Sequence, residues 1–239
     1  MTDFISQAYR KRRLKRFVFE KFNNYRYSKP GLHGLDSKLE AYIMPRMTRR
    51  PGFFIEAGAN DGFSQSNTYY FARRYGWKGL LVEPTPELAA HCAKIRPESI
   101  VVSCALGSSE SEGEPVQIHR AGLMSTVDGA LDDQEAHLRQ AQTHQPGACE
   151  GIINTNLRSL SSIIDEQHPS GEIDLLSLDV EGYEPQVLSG LDLSRHRPRF
   201  ICVESRDDEL ITQMLEKHYH FIDRLSHHDL LFEAKERTR

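Results

Sequence analysis

The sequence predicts an α/β fold, a mostly parallel sheet with helices on both faces, and three observations carry that prediction. From about residue 50 onward, short β-branched or apolar runs alternate with helical patterns, the signature of strands joined by crossover helices. The runs at 53–55, 79–82, 100–104, 173–178 and 200–203 each meet a Gly, Ala or acidic residue, at the strand ends where such sheets collect ligands. The tail, at 219–222 and 230–232, supplies two antiparallel edge strands.

Helix signals fill the gaps between these runs. After the second run Thr85 caps, Pro86 takes the favoured first position, and Leu88, Cys92 and Ile95 recur at helical spacing. After the fourth, Tyr183, Val187 and Leu188 form an apolar stripe that Gly190 is placed to stop. Ser205 followed by Asp207, Asp208 and Glu209 puts a cap and three acids at a helix start, which the helix dipole favours. A further helical pattern is expected over 157–164. Residues 107–150 break the rhythm with Ser, Gly, Glu, Gln and His. Runs at 116–119 and 152–155 suit a short hairpin, with a loop or lid between them.

The chain has 239 residues, 38% hydrophobic and 27% charged, which suits one domain plus an appendage. No stretch reaches the ~18 consecutive apolar residues of a membrane span. Four scattered cysteines argue against a disulfide framework or a zinc site and for a reducing, cytoplasmic setting. Residues 1–29 hold nine Lys or Arg against Asp3 and Glu20, a balance of +7, so the net −4 of the whole chain leaves −11 on the other 210 residues. The expected division is a basic arm with lead-in helices over 1–50 and the catalytic domain over 51–239, with 107–150 as a variable insertion. The arm suits contact with an anionic surface or the chain's own acidic body; nucleic acid is disfavoured.

Three constellations bear chemistry. Glu56-Ala57-Gly58-Ala59-Asn60-Asp61-Gly62 takes a strand into a turn whose glycines allow close approach of a ligand, although the third glycine of a dinucleotide fingerprint is missing. Glu83, 25 residues after Gly58, ends the second strand, where a carboxylate can accept from both hydroxyls of a ribose. Asp179 and Glu181 end the fourth strand and would share a side if extension continued; Glu204, ending the fifth, adds a third acid. Such acids can act as base, hold a hydroxyl or bind a divalent cation, for which Asp179 and Glu204 are the candidate ligands. Glu184 reads as a capping residue. Among eleven histidines, His228 could overhang the cleft as a further catalytic group, while His119, His137 and His144 lie in the insertion within reach of a substrate. Asn67, polar among the aromatic residues after the turn, is a candidate contact.

Glu56 to Gly62, Ser66-Asn67-Thr68, the 77–84 segment ending in Glu83-Pro84, Ala105-Leu106-Gly107, Ser125-Thr126 and above all residues 173–190 resemble the S-adenosylmethionine-dependent methyltransferases of the FkbM type, over about residues 52–233. The resemblance implies a Rossmann-like class I methyltransferase sheet with an antiparallel C-terminal edge. It also implies methyl transfer to oxygen, on a sugar, glycan or secondary-metabolite hydroxyl. By matching position, the Gly58–Gly62 turn would hold the methionine end of the cofactor and Glu83 the ribose. Ala105 and Leu106 would flank the adenine, and Asp179 would face the reactive end. Leu160-Ser161 departs from the Leu-Asp usual in the family before the fourth strand. Two other readings compete: an NAD-dependent oxidoreductase on the same sheet, and a non-catalytic binding module on a methyltransferase scaffold.

Overall fold

A computed structural model describes residues 29–48, 51–144, 151–168 and 171–236. The basic arm through residue 28 lies outside them, as does the side chain of His144. Five parallel strands form the centre: β1 (Phe53–Ala57), β2 (Lys78–Val82), β3 (Ile100–Val102), β8 (Leu175–Leu178) and β9 (Phe200–Glu204). β11 (Asp229–Ala234) joins β9 antiparallel and β10 (Tyr219–Arg224) joins β11 antiparallel, giving the order β10-β11-β9-β8-β1-β2-β3. The tail thus forms as expected, with β11 inside the sheet and β10 as its edge.

The central strands are apolar on both faces because both faces are covered. Alternate residues of each strand feed two cores. Ile55, Leu80, Leu176, Leu178, Ile201 and Val203 pack with α5 (Leu160–Gln167), α6 (Glu184–Ser189) and α7 (Asp208–Leu215). Phe54, Leu81, Leu175, Phe200 and Leu231 pack on the other face with α1 (Leu35–Ile43), α2 (Tyr69–Tyr75) and α3 (Pro86–Ile95). Leu35, Leu39 and Ile43 of α1 are wholly enclosed, each contributing about 1.5–3 kcal/mol. A helix of the expected lead-in, α1, thus packs into the core.

The insertion and the strands flanking it form a second, small sheet in the order β4-β7-β5-β6: β4 (Ala105–Leu106), β7 (Ile152–Arg158), β5 (Pro115–His119) and β6 (Thr126–Val127). The expected hairpin is present, with Val116 opposite Thr155 and His119 opposite Ile152. The stretch between its strands is more ordered than a loop, since it carries α4 (Gln134–His144). Two boundaries also differ from expectation. β7 runs on through Arg158, so the helix begins at Leu160, where Ser159 Oγ accepts from Ser162 N. Asp207, not Ser205, caps α7 by accepting from Leu210 N, and Ser205 is buried two residues earlier. Ser161, where the resembled pattern has Asp, accepts from Asp192 N at 2.7 Å and ties α5 to the end of α6.

Candidate active site

The carboxyl ends of β1, β2 and β8 open into one cleft lined by apolar side chains and a few polar groups, as small-molecule sites are. After β1 the chain turns back so that the N–H groups of Gly58 and Ala59 both donate to Val82 O at 3.0 Å. Gly58 has φ +85°, and a Cβ there would lie 1.8 Å from the backbone oxygen of Asp179. Only glycine lets the two strand-end turns touch. Asn60 follows at φ +49° and donates its N–H to Glu83 Oε2 at 2.9 Å, while Thr85 N donates to Oε1. Burial raises the Glu83 carboxyl above its usual range, and these two donors oppose the rise.

Glu56, Gly58, Ala59, Asn60, Asn67, Glu83, Pro84, Ala105, Leu106, Asp179 and Glu181 all line this cleft, so most of the sequence candidates meet there. Asp61 and Gly62 do not. Asp61 accepts from the N–H groups of Phe63 and Ser64 and so shapes the turn. Gly62 sits where a Cβ would press on Cys92 Sγ at 2.8 Å. Glu56 reaches the cleft wall but is engaged from behind: it accepts from Ser66 Oγ, Asn67 N and Thr68 Oγ1, and lies 3.7 Å from the Arg96 guanidinium. Arg96 is fully buried and also donates to Gly62 O and Thr68 Oγ1. Nothing in the sequence marked it, because arginine is almost never fully buried unless paired and its partners are 28 to 40 residues away. The apolar wall is completed by Ile118, Leu123 and Val127 of the insertion, also unmarked.

The acids converge by a route other than strand alternation. β8 ends at Leu178, and Glu181 adopts φ +57°, so the chain folds over instead of extending. Asp179, Glu181 and Glu204 nevertheless each present an oxygen within 4.8 Å of the others, a span one divalent cation could bridge. Solvent reaches Asp179 in the open cleft, yet enclosure by the cleft walls, then the charges of Glu204 and Glu181, hold its carboxyl well above the ordinary range. Enclosure and Glu204 push Glu181 to about 8, against the pull of Arg206 at 3.3 Å. Glu184 accepts from the N–H groups of Val180 and Gly182, both before α6, so it fixes the turn after β8 and does not cap the helix as expected. Glu204 sits behind the cleft lining, its Oε2 enclosed and without a hydrogen-bond partner.

The histidines sort differently from expectation. His228 lies in the β10–β11 turn with an exposed side chain, outside the cleft lining; its backbone oxygen accepts from Ser205 N. His119 pairs with Asp128 at 2.8 Å. The imidazole nearest the acids belongs to His137 of α4, 3.8 Å from Glu181, with Nε2 2.9 Å from Met124 O. Its helix could not be read from the sequence, so neither could its approach.

The methyltransferase FkbM domain profile matches residues 56–232. The chain belongs to this family. Its methyl donor is S-adenosylmethionine, and the oxidoreductase alternative falls. The fold is the Rossmann-like methyltransferase sheet with an antiparallel C-terminal edge. Solved structures similar to it are remote. A TehB-like SAM-dependent methyltransferase from Corynebacterium glutamicum is 10% identical, with TM-score 0.41, over 92% of this chain and 98% of that one. A 1,6-didemethyltoxoflavin-N1-methyltransferase from Burkholderia thailandensis is 14% identical, with TM-score 0.41, over 95% and 88%. No curated protein matches the chain. Among the described residues, no helix is long and apolar enough to cross a membrane.

The cleft fits the donor. It combines an apolar slot at Leu106 and Ile118, a carboxylate at Glu83, and a buried, unpartnered acceptor at Asn67 Oδ1.

Proposed function

We propose that the protein transfers a methyl group to a hydroxyl of a sugar, glycan or other small hydroxylated metabolite, with Asp179 as the proton acceptor. The observation that carries this reading is the position of Asp179, whose backbone touches the Gly58 turn and whose carboxyl stands in the same cleft beside Glu181 and Glu204. The residues that would hold the donor are Gly58, Ala59, Asn60 and Asn67 at one end and Glu83, Pro84, Ala105 and Leu106 at the other.

Bound there, the donor supplies an electrophilic methyl on a positively charged sulfur. The donor would give up its methyl group to the acceptor oxygen and would leave as a neutral thioether. The hydroxyl proton passes to the Asp179 carboxylate. A neutral alcohol is a weak nucleophile, so the base must sit within hydrogen-bond reach of it. Asp179 is suited in two ways. Crowding among three acids makes its carboxylate more basic than an ordinary Asp, and a positive charge arriving in the cleft favours its ionised form. Glu181 is anchored by Arg206, and Glu204 stands behind it.

A divalent cation on Asp179, Glu181 and Glu204 is the second reading, favoured by the unpartnered Glu204 oxygen. Loss of turnover on chelation, restored by magnesium, would select it. The free, buried thiols of Cys92, Cys104 and Cys202 suit a cytoplasmic protein.

The test is incubation with donor carrying a ¹³C-methyl group and a panel of sugars and hydroxylated metabolites, read by carbon NMR. A methyl-ether resonance on a hydroxylated acceptor supports oxygen transfer. Label arriving only on nitrogen would replace it.

A further inference from the structure

The backbone of Glu181 is in a conformation that something must hold. Its φ of +57° lies in the left-handed region, where a non-glycine residue stays only if its surroundings fix it. One side is held by Glu184, which accepts from the N–H groups of Val180 and Gly182. The insertion holds the other side. Buried Thr126 donates its Oγ1 hydrogen to Glu181 O at 3.0 Å, and a Cβ on Gly182 would lie 2.3 Å from Leu131 Cδ2.

The Glu181 side chain meets the insertion through Arg206 and His137, neither of which lines the cleft. Arg206 Nη2 donates to Glu181 Oε2 at 3.3 Å and reaches His137 Nδ1 at 3.5 Å. Arginine only donates, so Nδ1 accepts and the ring hydrogen sits on Nε2. That hydrogen is given to Met124 O at 2.9 Å. The buried ring thus has both nitrogens in use. One imidazole joins the counter-ion of Glu181 to the 122–124 turn, whose Gly122 and Leu123 do line the cleft.

None of the residues assigned to the donor takes part in these bonds. What they fix instead is the wall formed by the insertion and the carboxylate next to Asp179.

We infer that His137 is a positioning residue for the acceptor. Through Arg206 it fixes the Glu181 carboxylate beside Asp179, and through Met124 it fixes the turn at 122–124. The insertion therefore sets the acceptor's side of the cleft. This assignment rests on the oxygen-transfer reading and adds to it a residue that touches neither substrate.

His137→Leu keeps much of the bulk of the ring and loses both bonds. His137→Gln keeps an amide that can donate to Met124 O and accept from Arg206. Both variants, Arg206→Met and the His137→Leu, Arg206→Met double variant are compared with the wild type by hydrogen exchange, by titration of S-adenosylhomocysteine and by acceptor kinetics in the ¹³C-methyl transfer assay. His137→Leu should speed exchange within residues 122–127 by about tenfold. It should raise the acceptor KM by about fivefold or more, with kcat and S-adenosylhomocysteine affinity within about twofold. His137→Gln should lie near the wild type in all three. The double variant should lose no more than the larger single loss, because both residues act through one line of bonds. Unchanged exchange at 122–127 in His137→Leu, single losses that multiply in the double variant, or a His137→Gln chain no better than His137→Leu would overturn the assignment. A wild-type chain that methylated no hydroxyl would instead remove the oxygen-transfer reading beneath it, while the exchange result would still decide whether His137 holds the turn.

Discussion

Gly58→Ala is the substitution through which the cofactor turn and the acid cluster can be tested together. The glycine's φ of +85° costs an L-residue about 1–2 kcal/mol. The added Cβ would lie 1.8 Å from Asp179 O, so two backbone turns must part. Overpacking of this kind adds about 1–3 kcal/mol. The total of about 2–5 kcal/mol, at about 2–4 °C per kcal/mol for a chain of this size, lowers the melting temperature by roughly 5–20 °C. Gly76→Ala is the control, because Gly76 has φ +67° but nothing within 4 Å of its Cβ; it pays only the conformational part. Thermal unfolding with and without S-adenosylhomocysteine reads both effects, since the displaced carbonyl belongs to Asp179 and ligand stabilisation should shrink as well. A Gly58→Ala chain melting no lower than Gly76→Ala, with an undiminished response to ligand, would refute the contact.

Three further outcomes follow from the buried charges and the acid cluster. Arg96→Met leaves Glu56 buried without its partner and should cost about 3–5 kcal/mol in urea unfolding, with part of the loss regained in the Glu56→Gln, Arg96→Met double variant. Glu181, raised to about 8, binds more protons folded than unfolded between its ordinary value and that one. Its contribution to stability is therefore full below the unfolded pKa and is lost as pH rises through about 8. Glu181→Gln should melt higher than the wild type at pH 8 and close to it at pH 5, by thermal unfolding at both. Gly182→Ala combines φ +99° with a Cβ 2.3 Å from Leu131 Cδ2, and should loosen the insertion around α4, read as faster proteolysis within residues 122–144.

The parallel sheet was legible because strands covered on both faces read as continuous apolar runs. The same logic reached the hairpin at 116–119 and 152–155, whose strands carry alternating patterns. It failed at α4, a polar helix with only a thin apolar stripe, so His137 was expected within reach of a substrate but its place beside Glu181 was not. That the lead-in helix α1 packs into the core was not legible, since its buried residues Leu35, Leu39 and Ile43 are few. The acids at the strand ends were visible, but their meeting was not: it depends on Glu181 taking a left-handed conformation that no local pattern announces. Arg96 was invisible for the same reason as most buried ion pairs, its partners being distant in sequence. His228 looked well placed by topology, and the turn instead turns its ring outward to solvent.

The central claim is that Asp179 takes the proton from the acceptor hydroxyl, and Asp179→Asn tests it most directly, in the ¹³C-methyl transfer assay with S-adenosylhomocysteine titrated in parallel. The predicted result is a fall in turnover of about 10²–10⁴-fold with ligand affinity kept within a few-fold. Turnover equal to the wild type, with the ligand still bound, would contradict it.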